Sequence, residues 1–200
     1  MTKTANQIYD EWLVLKVQSG EMSAVTELVN RWQPALLNYA KIVTGDPELA
    51  AEAVQESWLS GTRGIRKLHD PARFRSWLYR IVHNQCINAL RTRQKHLKTT
   101  AAQVRESHTM QASENLDSLE NQDLVNHVLS EMPENQRAIL TLFYLSELEV
   151  TEIAELLELP TGTVKSRLYT ARETFRKLSE KAGRSRVSPT AFPDEVQHDV

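Results

Sequence analysis

The chain has 200 residues, with 24 Lys+Arg, 26 Asp+Glu, 40% hydrophobic and 25% charged residues. This composition fits one or two small soluble globular domains and excludes a collagen-like or membrane-embedded chain. The single cysteine, Cys86, excludes an internal disulfide and a multi-cysteine zinc site. With no N-terminal apolar run and no window near a membrane span, the expectation is a cytoplasmic protein without membrane insertion, metal or cofactor.

The formal net charge of −2 hides a strong segregation. Residues 63–98 hold ten Lys or Arg and one acid, Asp70. Residues 106–158 hold twelve acids and one base, Arg137, and residues 165–186 are basic again, eight to two. Two basic blocks separated by an acidic one predict two polyanion-binding surfaces.

In chain order, Ile8 to Val17 reads as an amphipathic helix with Ile8, Trp12, Leu13, Leu15 and Val17 as its apolar residues. Ser23 is expected to open a second helix, which Pro34 kinks or restarts and which runs to Gly45. Asp46-Pro47 is a helix start, an N-cap followed by Pro at the first position. The helix from Pro47 to Ser60 would bury Leu49, Ala50, Ala53, Val54 and Leu59 and show Glu48, Glu52, Gln55 and Glu56 on one acidic face. Gly61 to Pro71 reads as a basic loop.

A long helix is expected from Ala72 to Lys98. Its stripe is Phe74, Trp77, Leu78, Ile81, Val82, Cys86, Ala89 and Leu90, and arginines, amides, Tyr79 and His83 surround it. Cations bind phosphate, amides reach base edges and aromatic rings stack on unpaired bases. Arg73, Arg75, Arg80, Arg91 and Arg93 are therefore candidates for phosphate, and Asn84 and Asn88 for bases. His69 and His83 have no partners at metal-ligand spacing and read as surface residues.

Residues 99–121 lose periodicity and read as a flexible linker that divides an all-α chain into two small helical domains, 8–98 and 122–182. Residues 183–200 read as a mobile tail. In the second domain, Leu124–Met132 and a segment opened by Pro133-Glu134 are helical, with Ala138, Ile139, Leu142, Phe143 and Leu145 inward. Val150 to Leu178 follows. A first helix, with Thr151 placed to cap it, meets the break Leu159-Pro160-Thr161-Gly162. A second helix then carries Val164, Leu168, Ala171, Phe175 and Leu178 at alternating spacings of four and three. Its polar face is basic. This is the pattern of a helix-turn-helix whose second helix enters the DNA major groove.

Three stretches make the chain resemble the sigma-70 family of bacterial transcription initiation factors, in its short extracytoplasmic-function (ECF) group. Ala51–Leu59 (AEAVQESWL) is similar to region 2.2, Phe74–Lys95 to regions 2.3 and 2.4, and Leu129–Leu178 to region 4. Their order and spacing are more specific than any one of them. The resemblance implies a sigma factor, not an enzyme, that directs core RNA polymerase to promoters. It implies that Glu52, Gln55 and Glu56 dock on the β′ clamp helices and that region 4 meets the β flap. It assigns −10 recognition and strand opening to Arg66, Lys67, Arg73, Arg75, Trp77, Arg80, Asn84, Asn88, Arg91 and Arg93, with the loop 64–70 capturing a flipped base. It assigns −35 duplex binding to Thr163, Lys165, Ser166, Arg167, Tyr169, Thr170 and Arg172. An anti-sigma factor is implied as a further partner.

Three positions depart from the family pattern. Trp77-Leu78 stands where housekeeping members carry two tryptophans, which implies weaker melting. Asn88 stands where many relatives have Asp, and Thr170 where many have Arg, so base preference is open. The alternative reading is a dimeric helix-turn-helix repressor or activator. It explains Val150–Leu178 but not the basic, aromatic-bearing first domain. A metal-assisted nuclease would need carboxylates beside that basic surface, where Asp70 stands alone.

Overall fold

A computed structural model describes residues 4–100 and 119–182, with side chains placed for 4–95 and 124–182. The stretch read as a linker lies largely outside the described residues, and the tail wholly so. Among the described residues the structure is all helical: α1 (Ala5–Gln18), α2 (Met22–Thr44), α3 (Pro47–Gly64), α4 (Phe74–Thr100), α5 (Leu119–Glu131), α6 (Glu134–Leu140), α7 (Val150–Leu157) and α8 (Thr161–Lys181).

Local chemistry sets most of the ends. Thr4 caps α1 in a reciprocal capping box with Gln7. The Asp46 side chain accepts from the Glu48 and Leu49 amides, with Pro47 at the first position of α3, as the sequence predicts. Gly45 closes α2 in the left-handed region, φ 67°, where a Cβ would be strained.

Other ends differ from the sequence-based expectation. Helix α2 begins at Met22 and passes through Pro34 as one element. Helix α3 does not stop at Ser60 but continues through Gly61 and Gly64, where Leu78 and Trp77 of α4 pack on it. A Cβ on Gly64 would lie 3.1 Å from Trp77 Cζ2. The expected loop is thereby reduced to two 3₁₀ turns, Ile65–Lys67 and Pro71–Arg73. Helix α7 is capped by Glu149 in a box with Glu152, and Thr151 lies inside the helix. Thr141–Leu145 forms one turn of π-helix after α6, with the Ser146 amide donating to Thr141 O.

In the first domain α2, α3 and α4 pack together and α1 lies across α2. Leu13, Val14, Leu28, Leu36, Tyr39, Val43, Val54, Phe74, Leu78 and Val82 form its core. Full burial of each large side chain is worth about 1.5–3 kcal/mol. Helix α1 presents Leu13, Val14 and Val17 inward, whereas Ile8, Trp12 and Leu15 are exposed. Tyr79, expected on the outer face of α4, is buried edge-on against Tyr39, ring centroids 5.3 Å apart. His83 is also drawn inward: its Nδ1 lies 2.8 Å from Tyr39 Oη, and burial lowers its pKa to about 4. Cys86 is buried and its thiol is pushed up to about 12, which leaves it unreactive.

In the second domain α8 packs on α5, α6 and α7 through Val164, Leu168, Ala171 and Phe175. Leu145, expected inward, is exposed. The two domains touch: α2 meets α6, and α4 meets α7. Arg137, the one base of the acidic block, is buried at this seam. Its Nη2 donates to Val43 O at 2.7 Å and its Nη1 to Leu129 O at 3.4 Å. It thus satisfies carbonyls at the C-terminal ends of two helices, where a cation is favoured.

Candidate nucleic-acid and polymerase interfaces

The buried stripe of α8 turns Lys165, Ser166, Arg167, Tyr169 and Thr170 outward, and all of them are exposed, Tyr169 at 67%. Two cations and one phenol are therefore presented from the first half of the second helix of a helix-turn-helix, the half that reaches base edges. The hydroxyls of Ser166 and Thr170 bond back to Thr163 O and Ser166 O, 3.0 Å each. Thr163 itself is half-buried. Arg172 turns inward: its guanidinium carbon sits 5.6 Å from the Phe143 ring centroid and 5.5 Å from that of Tyr144. It braces α8 on the π turn rather than facing outward.

The basic surface of the first domain is arranged differently. Asn84, Asn88 and Arg91 are exposed on α4. Arg93 bonds to Asp46 Oδ2 at 2.7 Å. Arg73 bonds to Glu155 at 2.9 Å, Arg75 lies 3.5 Å from Glu152, and Arg80 pairs closely with Glu158. Arg66 and Lys67 are exposed on the 3₁₀ turn, which the buried Ile65 anchors. Trp77 is half-buried, 6.0 Å from Phe74 and against Gly64, so it stiffens the base of this turn.

Sequence reasoning missed Gln18. Its Nε2 donates to Ile65 O at 3.0 Å and to Leu68 O at 2.8 Å, tying both ends of the basic turn to α1. The residues are 47 and 50 positions apart, so no local signal could have shown it.

On α3, Glu52, Gln55 and Glu56 are all exposed, as the helical spacing requires. Leu59, expected to be buried, is 45% exposed one turn further along the same face. An acidic face with an apolar residue at its end can dock a basic helical surface that also offers an apolar contact. Among the described residues, no three His, Cys, Asp or Glu converge to hold a metal ion, and no helix is long and apolar enough to cross a membrane.

A four-helix domain with a basic long helix is packed on a helix-turn-helix domain, a fold of the DNA-binding class. The comparisons with known proteins make this specific. Residues 28–96 match the model of sigma-70 region 2, and residues 122–175 match that of sigma-70 region 4. The chain is 28% identical over 183 residues to the ECF RNA polymerase sigma-E factor of Escherichia coli (strain K12), covering 86% of this chain and 94% of that one. It is 27% identical over 181 residues to the RNA polymerase sigma-H factor of Pseudomonas aeruginosa, with the same coverage. Among solved structures it is similar to CnrH, determined with the cytosolic domain of CnrY, at TM-score 0.62, 22% identity and coverage of 86% and 97%. It is also similar to the sigma factor RpoE of Bartonella quintana, determined with the anti-sigma factor NepR, at TM-score 0.67, 21% identity and coverage of 78% and 96%. The chain belongs to the sigma-70 family of RNA polymerase sigma factors, in its ECF group.

Proposed function

We propose that this chain carries core RNA polymerase to promoters whose −35 and −10 elements it reads with separate domains, and that it holds the −10 strand open. The observation that carries this is the joint presence, in order, of an acidic docking face, a basic aromatic-bearing helix and an exposed helix-turn-helix reader on one chain. In this reading Glu52, Gln55, Glu56 and Leu59 meet the polymerase β′ clamp helices, and region 4 meets the β flap. Lys165, Arg167 and Tyr169 lead the contacts to the −35 duplex, with Thr163, Ser166 and Thr170 beside them, while Arg172 holds the helix in place from its inner side. The turn bearing Arg66 and Lys67, together with Trp77, Asn84, Asn88 and the arginines of α4, takes the −10 strand.

Opening a duplex costs a few kcal/mol per unstacked base. Pocketing extruded bases while gripping one backbone stabilises the open form selectively, so binding supplies the work and the chain acts without catalysing a reaction. We place the functional boundaries at 8–98 and 122–182, with the protein in the cytoplasm. An anti-sigma factor is its expected regulator, in keeping with the complexes known for similar chains. Run-off transcription tests the reading. Core polymerase with this protein is expected to yield transcripts from cognate promoters, and Glu56→Arg is expected to abolish them while the chain still binds −35 DNA. Wild-type transcript levels from that variant would show that the acidic face is not the dock.

A further inference from the structure

The basic turn between α3 and α4 is anchored at both ends. At its start Ile65 is buried and lines a small apolar cavity with Val17, Leu28, Phe74 and Trp77. At its end the Asp70 side chain accepts from the Ala72 amide at 3.0 Å and opens the second 3₁₀ turn. Between these anchors Arg66, Lys67 and His69 are exposed, so burial does not hold them. Gln18, the last residue of α1, does. Its Nε2 donates to Ile65 O at 3.0 Å and to Leu68 O at 2.8 Å. Ile65 O also accepts from the Leu68 amide at 3.1 Å. One carboxamide thus clasps the span 65–68.

The clasp sets directions as well as positions. In a planar trans peptide the C=O and N–H point opposite ways, and among the described residues no peptide is cis. Leu68 O points at Gln18, so the His69 amide, in the same peptide, points away from α1. Ordering a free loop costs entropy at every residue. A turn ordered beforehand leaves more of the binding free energy for its ligand.

We propose that Gln18 is a positioning residue for strand capture: by clasping Ile65 O and Leu68 O it presets the basic turn for an extruded base of the −10 strand. This rests on the assignment of the turn to that strand. Gln18 acts through the backbone of the turn and supplies donors only. Glutamate at 18 would set acceptors against two carbonyls, and lysine would keep donors there. Alanine would remove both bonds and suit the helix.

The test compares wild type with Gln18→Ala, Gln18→Glu and Gln18→Lys. Amide hydrogen exchange of the full chain reads the turn. Fluorescence anisotropy of holoenzyme assembled on core polymerase reads binding to a fork DNA, a −35 duplex whose −10 non-template strand is unpaired. The fork carries the cognate base or each other base in turn at every −10 position, and the −35 duplex alone is the control. For Q18A and Q18E the Leu68 amide is expected to exchange faster. Affinity for the cognate fork is expected to fall roughly three- to tenfold, with loss of discrimination at one −10 position. Q18K is expected to restore the protection and the discrimination. Affinity for the −35 duplex and the thermal midpoint should stay at wild type. Wild-type exchange in Q18A would overturn the clasp. Faster exchange with unchanged fork affinity and discrimination would overturn the positioning role. Equal loss on fork and −35 duplex, without rescue by lysine, would overturn it too, as a general structural defect. A wild-type holoenzyme that binds the fork no tighter than the −35 duplex would sink the assignment of the turn, and the proposal with it, while the exchange difference remained.

Discussion

Helices α4 and α8 are both basic, and the structure treats them oppositely. On α8 the cations at 165 and 167 project from a helix whose inner side is committed to the core, and among the described residues both are exposed. On α4 the arginines at 73, 75, 80 and 93 each have a carboxylate partner. The difference shows that a basic helix in sequence is a statement about capacity, and that availability depends on where the acids of the same chain fold. Three of those partners, Glu152, Glu155 and Glu158, come from the acidic block between the two basic ones, and the fourth, Asp46, caps α3.

The seam that creates this contrast can be broken most severely at Arg137. Arg137→Ala leaves the carbonyls of Val43 and Leu129 without their donor in a buried site. A loss of about 2–4 kcal/mol is expected in chemical denaturation, beyond anything a surface arginine would cost. A loss under about 0.5 kcal/mol would mean that the guanidinium is dispensable at the seam. On the exposed helix, Lys165→Ala with Arg167→Ala is expected to weaken −35 binding by about ten- to a hundredfold in footprinting. Core association should stay intact, and equal loss of both would contradict the division of roles.

His83 gives a pH handle on the first domain. Its folded pKa of about 4 lies below the ordinary value of 6.5, so the unfolded chain binds the extra proton between these values. Stability is therefore present above about pH 6.5 and lost as pH falls toward 4, by an amount on the order of 2 kcal/mol. Urea titrations at pH 7.5 and 5 check this, and His83→Asn should flatten the dependence. The smallest effect is expected from Thr170→Ala. Its hydroxyl is spent on Ser166 O, so −35 affinity should change by less than about threefold. A larger drop would show that the hydroxyl turns to DNA on binding.

Much of the helical plan is legible in the residues. The stripe Val164, Leu168, Ala171 and Phe175 is buried as its period requires, and Asp46-Pro47 opens a helix as its chemistry requires. The failures share one physical cause. Gly61 and Gly64 read as breakers, yet they continue α3 where it packs on α4, and at Gly64 the ring of Trp77 takes the space a side chain would need. Trp12 and Leu15 read as inward because they are apolar, yet α1 buries Leu13, Val14 and Val17 instead. Tyr79 and His83 read as outward because they are polar, yet they meet Tyr39 inside. Periodicity reports a helix face, and a partner in space decides what that face meets. For the candidate sites, residue type and spacing select the basic and acidic faces. The pairing of Arg73 with Glu155 across 82 positions, and the grip of Gln18 on the basic turn, have no local signature.

Permanganate reactivity of unpaired thymines around the −10 element, with core polymerase and a cognate promoter, tests the central claim most directly. Reactive −10 thymines are expected only when this protein is present, and they should disappear when the α4 surface is crippled by Arg91→Ala with Asn88→Ala. A duplex that stays unreactive with protein and polymerase together would contradict the assignment of strand opening to this chain.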